Sequence, residues 1–128
     1  MRIEHLAIWV KDLDKMKEFY IQYFGATANE LYHNPKKQFS SYFLSFDSGA
    51  RIELMHKPHF ASRDISRQEI FGYAHFAISL GSKESVDQMT ELFRSNGLII
   101  KGEPRTTGDG YYESVIADPE GNLIELTV

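Results

Sequence analysis

Cysteine is absent from the 128-residue chain. Its absence excludes disulfide bonds, thiolate-ligated metal sites and cysteine nucleophiles. Long hydrophobic runs are scarce too: the longest near the start, residues 6–10, is bounded by Glu4 and Lys11. Such a run is too short for a signal peptide or a membrane span. We therefore expect a soluble, cytoplasmic protein with no membrane partner, although an exported protein whose signal was removed would look the same.

The chain also lacks an excess of basic residues: it has 14 Lys and Arg and 18 Asp and Glu, for a formal net charge of −4. This balance argues against a broad nucleic-acid or anionic-membrane surface. The sequence has no phosphate-cradling glycine loop, dinucleotide fingerprint or Ser–His–Asp pattern, which would have indicated nucleotide binding or acyl transfer. Hydrophobic residues make up 42% of the chain, enough for the packed core of one domain.

The chain is predicted to consist of two copies of one structural unit. Residues 4–10 match residues 74–80 at an offset of 70, and residues 51–55 match residues 123–127 at an offset of 72. The matches keep their order along the chain, so a chance resemblance between two ordinary β-hairpins does not explain them well. Each half has the predicted order strand–helix–strand–strand–strand.

One helix is predicted in each half, at residues 12–24 and 82–96, with capping residues at Asp12 and Ser82 and glycine stops at Gly25 and Gly97. The apolar side of the second helix is predicted to consist of Val86, Met89, Leu92 and Phe93. Because one helix covers one face of a sheet, the other face of each sheet needs a partner. We therefore predict an α+β fold of two βαβββ modules, residues 1–56 and 72–128, that form a curved mixed sheet around a shared metal cleft. Residues 57–71 are predicted to connect them, so the full 128 residues form a single domain.

The metal is predicted from strand alternation, because successive side chains point to opposite faces. The aliphatic residues that alternate with His5, Glu53, His75 and Glu125 should face the helices, which leaves these four in the cleft. Two imidazoles and two carboxylates suit one divalent Ni, Zn, Co, Mn or Fe ion, whereas Ca²⁺ and Mg²⁺ prefer all-oxygen sites. Each of these residues, taken alone, is more simply interpreted as an ordinary polar strand residue. Their equivalent positions in the two halves favour a shared ligand set.

The motifs of the chain resemble those of a known superfamily. They are HLAI at 5–8, FY and FG within 19–25, IEL at 52–54, HFAI at 75–78, and DPEGN followed by IEL within 118–126. Over nearly its whole length the chain resembles the glyoxalase I / bleomycin-resistance / extradiol-dioxygenase (vicinal-oxygen-chelate, VOC) superfamily. The resemblance implies paired βαβββ modules with a metal at their interface. The His–Glu–His–Glu order is most similar to that of bacterial glyoxalase I-like proteins.

This resemblance implies a metal-dependent lyase or isomerase of the glyoxalase I (lactoylglutathione lyase-like) type, acting on a small α-oxygenated carbonyl compound. The metal would bind two adjacent substrate oxygens and stabilise an enediolate, with Glu53 or Glu125 as the base. One alternative is an iron-dependent extradiol-type dioxygenase, which needs only three protein ligands. Another is a metal-free, bleomycin-resistance-like protein that sequesters its ligand. A homodimer is expected, because two-fold symmetry is the commonest form of oligomer.

Three residues are candidates for substrate contacts: Trp9, Arg51 and Arg105. Trp9 stands where bacterial glyoxalase I has an arginine that helps to bind glutathione. Arg51 shares the face of Glu53 and supplies either a replacement cation or a counter-charge for the ligand carboxylates. Arg105 is predicted in a loop, either as a substrate contact or simply as an exposed arginine. His56 is an odd number of residues after Glu53 and is predicted to point away from the cleft.

Overall fold

The computed structural model describes residues 2–59 and 72–128, and the chain divides into two compact units, Met1–Arg63 and Asp64–Val128. The first unit contains β1 (His5–Trp9), α1 (Leu13–Phe24), β2 (Thr27–Ala28), β3 (Tyr32–Asn34), β4 (Phe39–Ser45) and β5 (Arg51–His56). The second contains β6 (His75–Ser79), α2 (Lys83–Ser95), β7 (Ile100–Thr106), β8 (Tyr112–Ala117) and β9 (Leu123–Thr127). Most of the predicted connector, residues 57–71, lies outside the described residues.

The two sheets confirm the predicted α+β modules. The second sheet has the order β6-β9-β8-β7, and the first has β1-β5-β4-β2, with β3 also paired to β4. In both units the first and last strands are parallel neighbours, while the other pairs are antiparallel. The second unit is therefore a βαβββ module as predicted, whereas the first has one strand more.

The extra strand arises because the edge of the first sheet is interrupted. β2 and β3 pair with opposite ends of the same strand, β4. Near the break, the side-chain oxygen of Asn29 accepts a hydrogen bond from the Phe43 amide at 2.7 Å, and the Asn29 amide donates to the Phe43 carbonyl at 3.1 Å. The Asn29 side chain thus takes the role of a backbone carbonyl, and the edge continues as two short strands.

Both helices begin at the predicted capping residues. The side chains of Asp12 and Ser82 accept hydrogen bonds from backbone amides three residues later, at 3.0 and 3.1 Å, which satisfies donors that the first helical turn leaves unpaired. Gly25 and Gly97, with φ angles of 63° and 73°, follow the helix ends in the left-handed conformation that glycine adopts without strain. Among the described residues, no helix is long and apolar enough to cross a membrane.

One face of each sheet is buried under its helix. In β1 the side chains of Leu6 and Ile8 are half-buried, while His5, Ala7 and Trp9 on the other face are exposed, as the alternation predicts. The buried hydrophobic residues of the first unit are Val10, Met16, Phe19, Tyr20, Ala26, Leu44, Ile52 and Leu54. Those of the second are Val86, Phe93, Ile116, Ala117, Ile124 and Leu126.

The apolar side of α2 differs from the prediction. Leu92, expected in the core, is 46% exposed, and Thr90 is buried instead. The Thr90 hydroxyl donates to the Val86 carbonyl at 2.7 Å and lies 2.7 Å from the Ser114 hydroxyl on β8. A polar side chain is tolerated in the core because its hydrogen-bonding groups are satisfied there.

A turn at Asp118 sets the register of the last two strands. The buried Asp118 carboxylate accepts bonds from the amides of Glu120 and Asn122, both at 2.9 Å, and from the Asn122 side chain at 2.8 Å. Gly121 has a φ angle of 85°, which few side chains tolerate. This turn leads into the β8–β9 pairing in which Val115 lies opposite Glu125.

The Thr90–Ser114 pair predicts a specific stability defect. Thr90→Val should lower the free energy of unfolding by about 1–3 kcal/mol, because it leaves the buried Ser114 hydroxyl without this partner. Urea unfolding followed by circular dichroism measures the change. The double variant Thr90→Val/Ser114→Ala should recover part of the loss. A single variant as stable as wild type would contradict the importance of the pair.

Candidate metal centre

In the first unit, His5 and Glu53 meet on the sheet face opposite α1. Strand pairing aligns Ala7 with Glu53, so His5 lies one diagonal step away on the same face. The Nε2 atom of His5 is 3.8 Å from Oε2 of Glu53. Their side chains are 39% and 15% exposed, respectively. The carboxylate is thus mostly shielded from water, while the imidazole remains accessible.

The second unit repeats this arrangement with His75 and Glu125. Ala77 is the register partner of Glu125, as Ala7 is of Glu53. The Nε2 atom of His75 is 3.2 Å from Oε2 of Glu125, and the two side chains are 45% and 18% exposed. The internal repeat therefore extends from the sequence to strand register and side-chain contact.

The two His–Glu pairs belong to different units. Across residues 2–59 and 72–128, the structure gathers no group of three or more His, Asp or Glu side chains able to hold a metal. A site with four protein ligands needs one pair from each unit. The complete set of His5, Glu53, His75 and Glu125 remains a prediction.

Glu4 joins His5 to Arg51. The Nδ1 atom of His5 donates to Oε2 of Glu4 at 2.5 Å, and the Arg51 guanidinium donates to the other oxygen of the same carboxylate. These bonds, first that from His5 and then that from Arg51, hold the pKa of Glu4 below its usual value. The Arg51 guanidinium also lies over the Phe43 ring, 4.3 Å from its centroid. Arg51 thus balances a carboxylate outside the predicted ligand set.

Arg105 lies in β7, so the prediction that it belongs to a loop is wrong. Gly102 and Pro104 are unusual within a strand, but β7 lies at the edge of the second sheet, where both are tolerated. The register is irregular around Gly102. Arg105 donates to the Glu113 carboxylate at 3.1 Å, and the Glu113 side chain is only 11% exposed. Its guanidinium charge is therefore balanced from within the same unit.

Glu113 also affects the candidate ligand Glu125. Burial, followed by the negative charge of Glu113, raises the pKa of Glu125 above the usual value for a glutamate, and His75 opposes this rise. Glu113 and Val115 share one face of β8, and Val115 pairs with Glu125, so the two carboxylates lie on the same face of the sheet. The second unit therefore concentrates negative charge beside one imidazole.

Trp9 belongs to an aromatic patch formed by Trp9, Tyr32 and Phe39. Phe39 contacts Trp9 and Tyr32 edge to face, each with ring centroids 6.1 Å apart. The Lys57 ammonium is 5.7 Å from the centre of the Trp9 ring. Trp9 and Tyr32 are 43% and 53% exposed. An aromatic surface with an adjacent cation thus occupies the end of β1 away from His5.

His56 has a structural partner. Its Nδ1 atom donates to the backbone carbonyl of Val10 at 2.9 Å in a partly buried contact. His56 also has the strand parity of Ile52 and Leu54, which lie in the core under α1. This geometry agrees with the prediction that His56 points away from the face of Glu53.

Glu4 and Glu113 were not predicted to belong to the site. Glu113 could have been found, because its parity within the predicted strand puts it on the same face as Val115, away from the helix. Glu4 precedes the first residue of β1, and strand alternation gives no direction for a side chain outside the strand. Its contact with Arg51 depends on the pairing of β1 with β5, which the local sequence does not reveal.

Comparison with known proteins identifies the family. The model for the Glyoxalase/Bleomycin resistance protein/Dioxygenase superfamily matches residues 2–126. The chain belongs to this superfamily. The resemblance inferred from the sequence motifs is therefore confirmed across nearly the whole chain.

Members of this superfamily in plants and protozoa are similar to the chain. Lactoylglutathione lyase GLX1 of Arabidopsis thaliana is 32% identical over 98% of this chain, which spans only 43% of that protein. Glyoxalase I of Zea mays has 27% identity and a TM-score of 0.80, with coverage of 98% of this chain and 44% of that one. The trypanothione-dependent glyoxalase I of Leishmania major has 25% identity and a TM-score of 0.78, with coverage of 99% and 86%.

The charge environment of Glu125 predicts a pH-dependent stability change. Because its pKa is raised by the fold, ionisation of Glu125 opposes folding. That cost is absent below the unfolded-state pKa and grows as the pH rises through the folded-state pKa. In chelator-treated protein, Glu125→Gln should therefore raise Tm at pH 7 by roughly 2–8 °C.

Thermal unfolding at several pH values measures this effect. The gain should vanish near pH 4, where both proteins carry an uncharged side chain at this position. Glu30→Gln, which removes the same charge from an exposed position of the first unit, serves as the control. A Glu125→Gln variant no more stable than wild type at pH 7 would contradict the assignment.

Proposed function

We propose that this chain is a metal-dependent lyase or isomerase of the glyoxalase I type. It would act on a small α-oxygenated carbonyl compound through an enediolate. The observation that carries the proposal is the repeated His–Glu pair: His5 with Glu53 and His75 with Glu125, each at the same register in its own sheet. Both pairs lie on the sheet faces away from the helices, so core packing does not explain why the pair occurs twice.

The donor set fits a divalent metal. Each histidine has its Nε2 atom within 4 Å of a mostly shielded carboxylate oxygen, at 3.8 Å in one unit and 3.2 Å in the other. Two such pairs offer two nitrogen and two oxygen donors, as Ni²⁺, Zn²⁺, Co²⁺, Mn²⁺ and Fe²⁺ accept. A cation would also offset the cost of keeping the Glu125 carboxylate ionised.

The similarity to named enzymes supports the same activity. The Arabidopsis protein is named a lactoylglutathione lyase, and the maize protein is a glyoxalase I. Because the chain spans less than half of each, their activity comes to this chain only as a proposal. The Leishmania enzyme, of which the chain covers 86%, is closer in length to this chain and supports the same proposal.

The protein's own residues supply the proton transfer. When bound, a divalent cation would stabilise the negative charge that develops on the substrate oxygens. Glu53 or Glu125 would take the proton from the carbon beside the carbonyl and return it to the neighbouring carbon.

The charges around the site argue against glutathione as the thiol. Arg51 and Arg105, the two candidate cations for substrate carboxylates, are bonded to Glu4 and Glu113. Trp9, at the position of the glutathione-binding arginine in the resembled enzymes, contributes to an exposed aromatic patch instead. We infer that the substrate carries a less anionic or more apolar group; among the relatives, the glyoxalase I of Leishmania major is described as trypanothione-dependent.

Assembly and location remain predictions. The two units would supply one His–Glu pair each, either within one chain or between two chains of a homodimer. A cytoplasmic location follows from the sequence argument alone.

A second candidate function, a ligand-sequestering protein, is favoured by the aromatic patch. Phe39 contacts both Trp9 and Tyr32, and Lys57 lies beside the Trp9 ring. Aromatic faces of this kind bind planar or cationic molecules by stacking and by cation–π attraction. Such a protein needs no metal, so metal content distinguishes the two candidates.

Metal content is the first functional prediction. Protein purified without chelator and loaded with Ni²⁺ or Zn²⁺ should retain about one metal ion per chain, measured by elemental mass spectrometry. Glu53→Gln and Glu125→Gln should both lower this content and abolish most activity, because a neutral amide is a poor substitute for a carboxylate ligand. Wild-type protein that retains no metal would favour the sequestering function.

His56→Ala is the matched control for the metal prediction. It removes an imidazole three residues from Glu53, but one that is bonded to the Val10 carbonyl. Its metal content should equal that of wild type, while His5→Ala should lose metal. Equal losses from the two histidine variants would contradict the proposed ligand set.

Thiol preference is the second functional prediction. Turnover of the methylglyoxal–glutathione hemithioacetal should be weak or absent, since losing a charge-assisted bond to a substrate carboxylate costs about 1.5–3 kcal/mol. The assay compares hemithioacetals of glutathione and of other thiols, with Ni²⁺, Co²⁺ and Zn²⁺ in turn. Efficient glutathione-dependent turnover would show that the interpretation of Trp9 is wrong.

A further inference from the structure

We propose that Glu4 is a positioning residue that fixes the tautomer and orientation of the His5 ring, so that Nε2 is presented as the ligand atom. As far as the metal is concerned, this inference rests on the proposed function. The orientation of the ring is a property of the polypeptide and can be tested without a metal.

The hydrogen bond between Glu4 and His5 defines the tautomer. A carboxylate only accepts hydrogen bonds, so the Nδ1 atom of His5, 2.5 Å from Oε2 of Glu4, must carry the hydrogen. In the neutral ring, Nε2 then holds the lone pair. That atom lies 3.8 Å from Oε2 of Glu53, on the exposed face of the sheet. The nitrogen available for a metal is thus the one that faces the other candidate ligand of the unit.

Glu4 is itself held in place. The Arg51 guanidinium donates to the Glu4 carboxylate, and the Arg51 backbone amide donates to the Glu4 carbonyl at 3.0 Å. The Phe43 ring lies under the guanidinium and also contacts the His5 ring edge to face, with centroids 5.4 Å apart. His5 is therefore fixed by a carboxylate at one nitrogen and by an aromatic ring at its side.

The second unit lacks this carboxylate. Ala74 stands where Glu4 stands in the repeat and has no hydrogen-bonding side chain. The additional carboxylate of the second unit, Glu113, acts instead on Glu125. The two halves therefore support their ligand pairs differently, through the histidine in the first and the glutamate in the second. Partners of metal-binding histidines that fix the tautomer typically contribute a factor of about 10–100 in metal affinity.

The direct test is the tautomer of His5 in chelator-treated protein, read from long-range ¹H–¹⁵N correlation spectra at a pH where the ring is neutral. The His5 signals are assigned by their loss in His5→Gln. Wild type should have the hydrogen on Nδ1, whereas Glu4→Ala should give a mixture of tautomers. Glu4→Gln should be intermediate, because its amide oxygen still accepts a bond. An unchanged tautomer in Glu4→Ala would overturn the proposal.

Metal affinity gives the second readout. Zn²⁺ titration against a chromophoric chelator should show an affinity about 10–100-fold lower for Glu4→Ala. Glu18→Ala, with the same charge change at an exposed position of α1, should match wild type. Both variants should keep the wild-type circular dichroism, because both side chains are more than half exposed. A loss as complete as that of His5→Ala would make Glu4 a ligand and overturn the positioning role.

A double variant separates orientation from charge. Glu4→Ala leaves Arg51 uncompensated, which by itself would repel a cation. Glu4→Ala/Arg51→Ala restores the net charge, and its affinity should stay low if ring orientation is the cause. Recovery to the wild-type affinity would overturn the proposal. If wild-type protein binds no Zn²⁺, the proposed function fails, while the tautomer spectra still decide the role of Glu4.

Discussion

The parallel pairing of the first and last strands in each unit is the constraint on which the rest of the structure depends. It aligns Ala7 with Glu53 and Ala77 with Glu125, and so brings each histidine one diagonal step from its glutamate. A shift of one residue would move every side chain of the strand to the other face. Burying the aliphatic residues under the helix therefore also puts the glutamates on the opposite face of the sheet.

Much of the fold could be predicted because its determinants are local. Alternation in β1 and β5, helix caps at Asp12 and Ser82, and glycines after the helices each depend on a few neighbouring residues. The interrupted edge at Asn29 and the burial of Thr90 instead of Leu92 could not be predicted. They depend on hydrogen bonds to Phe43 and Ser114, which are distant in sequence.

The same distinction applies to the candidate site. Strand parity and the internal repeat were enough to put each candidate ligand on the face away from its helix. The sequence did not predict which cations would be neutralised, because the Glu4–Arg51 and Arg105–Glu113 pairs each join different strands or segments. Both arginines that were candidates for binding a substrate thus have carboxylate partners in the fold. A less anionic substrate is expected for that reason.

The two alanines that pair with the glutamates affect how closely a molecule could approach the carboxylates. Ala7 and Ala77 each place one methyl group on the exposed face, between larger neighbours on the same strand. The layer of side chains is thinnest there, so a bound molecule can approach each carboxylate from the side. A valine or leucine would fill that space while leaving every donor atom in place. The size of a molecule that could reach either carboxylate would thus depend on residues that have no reactive group at all.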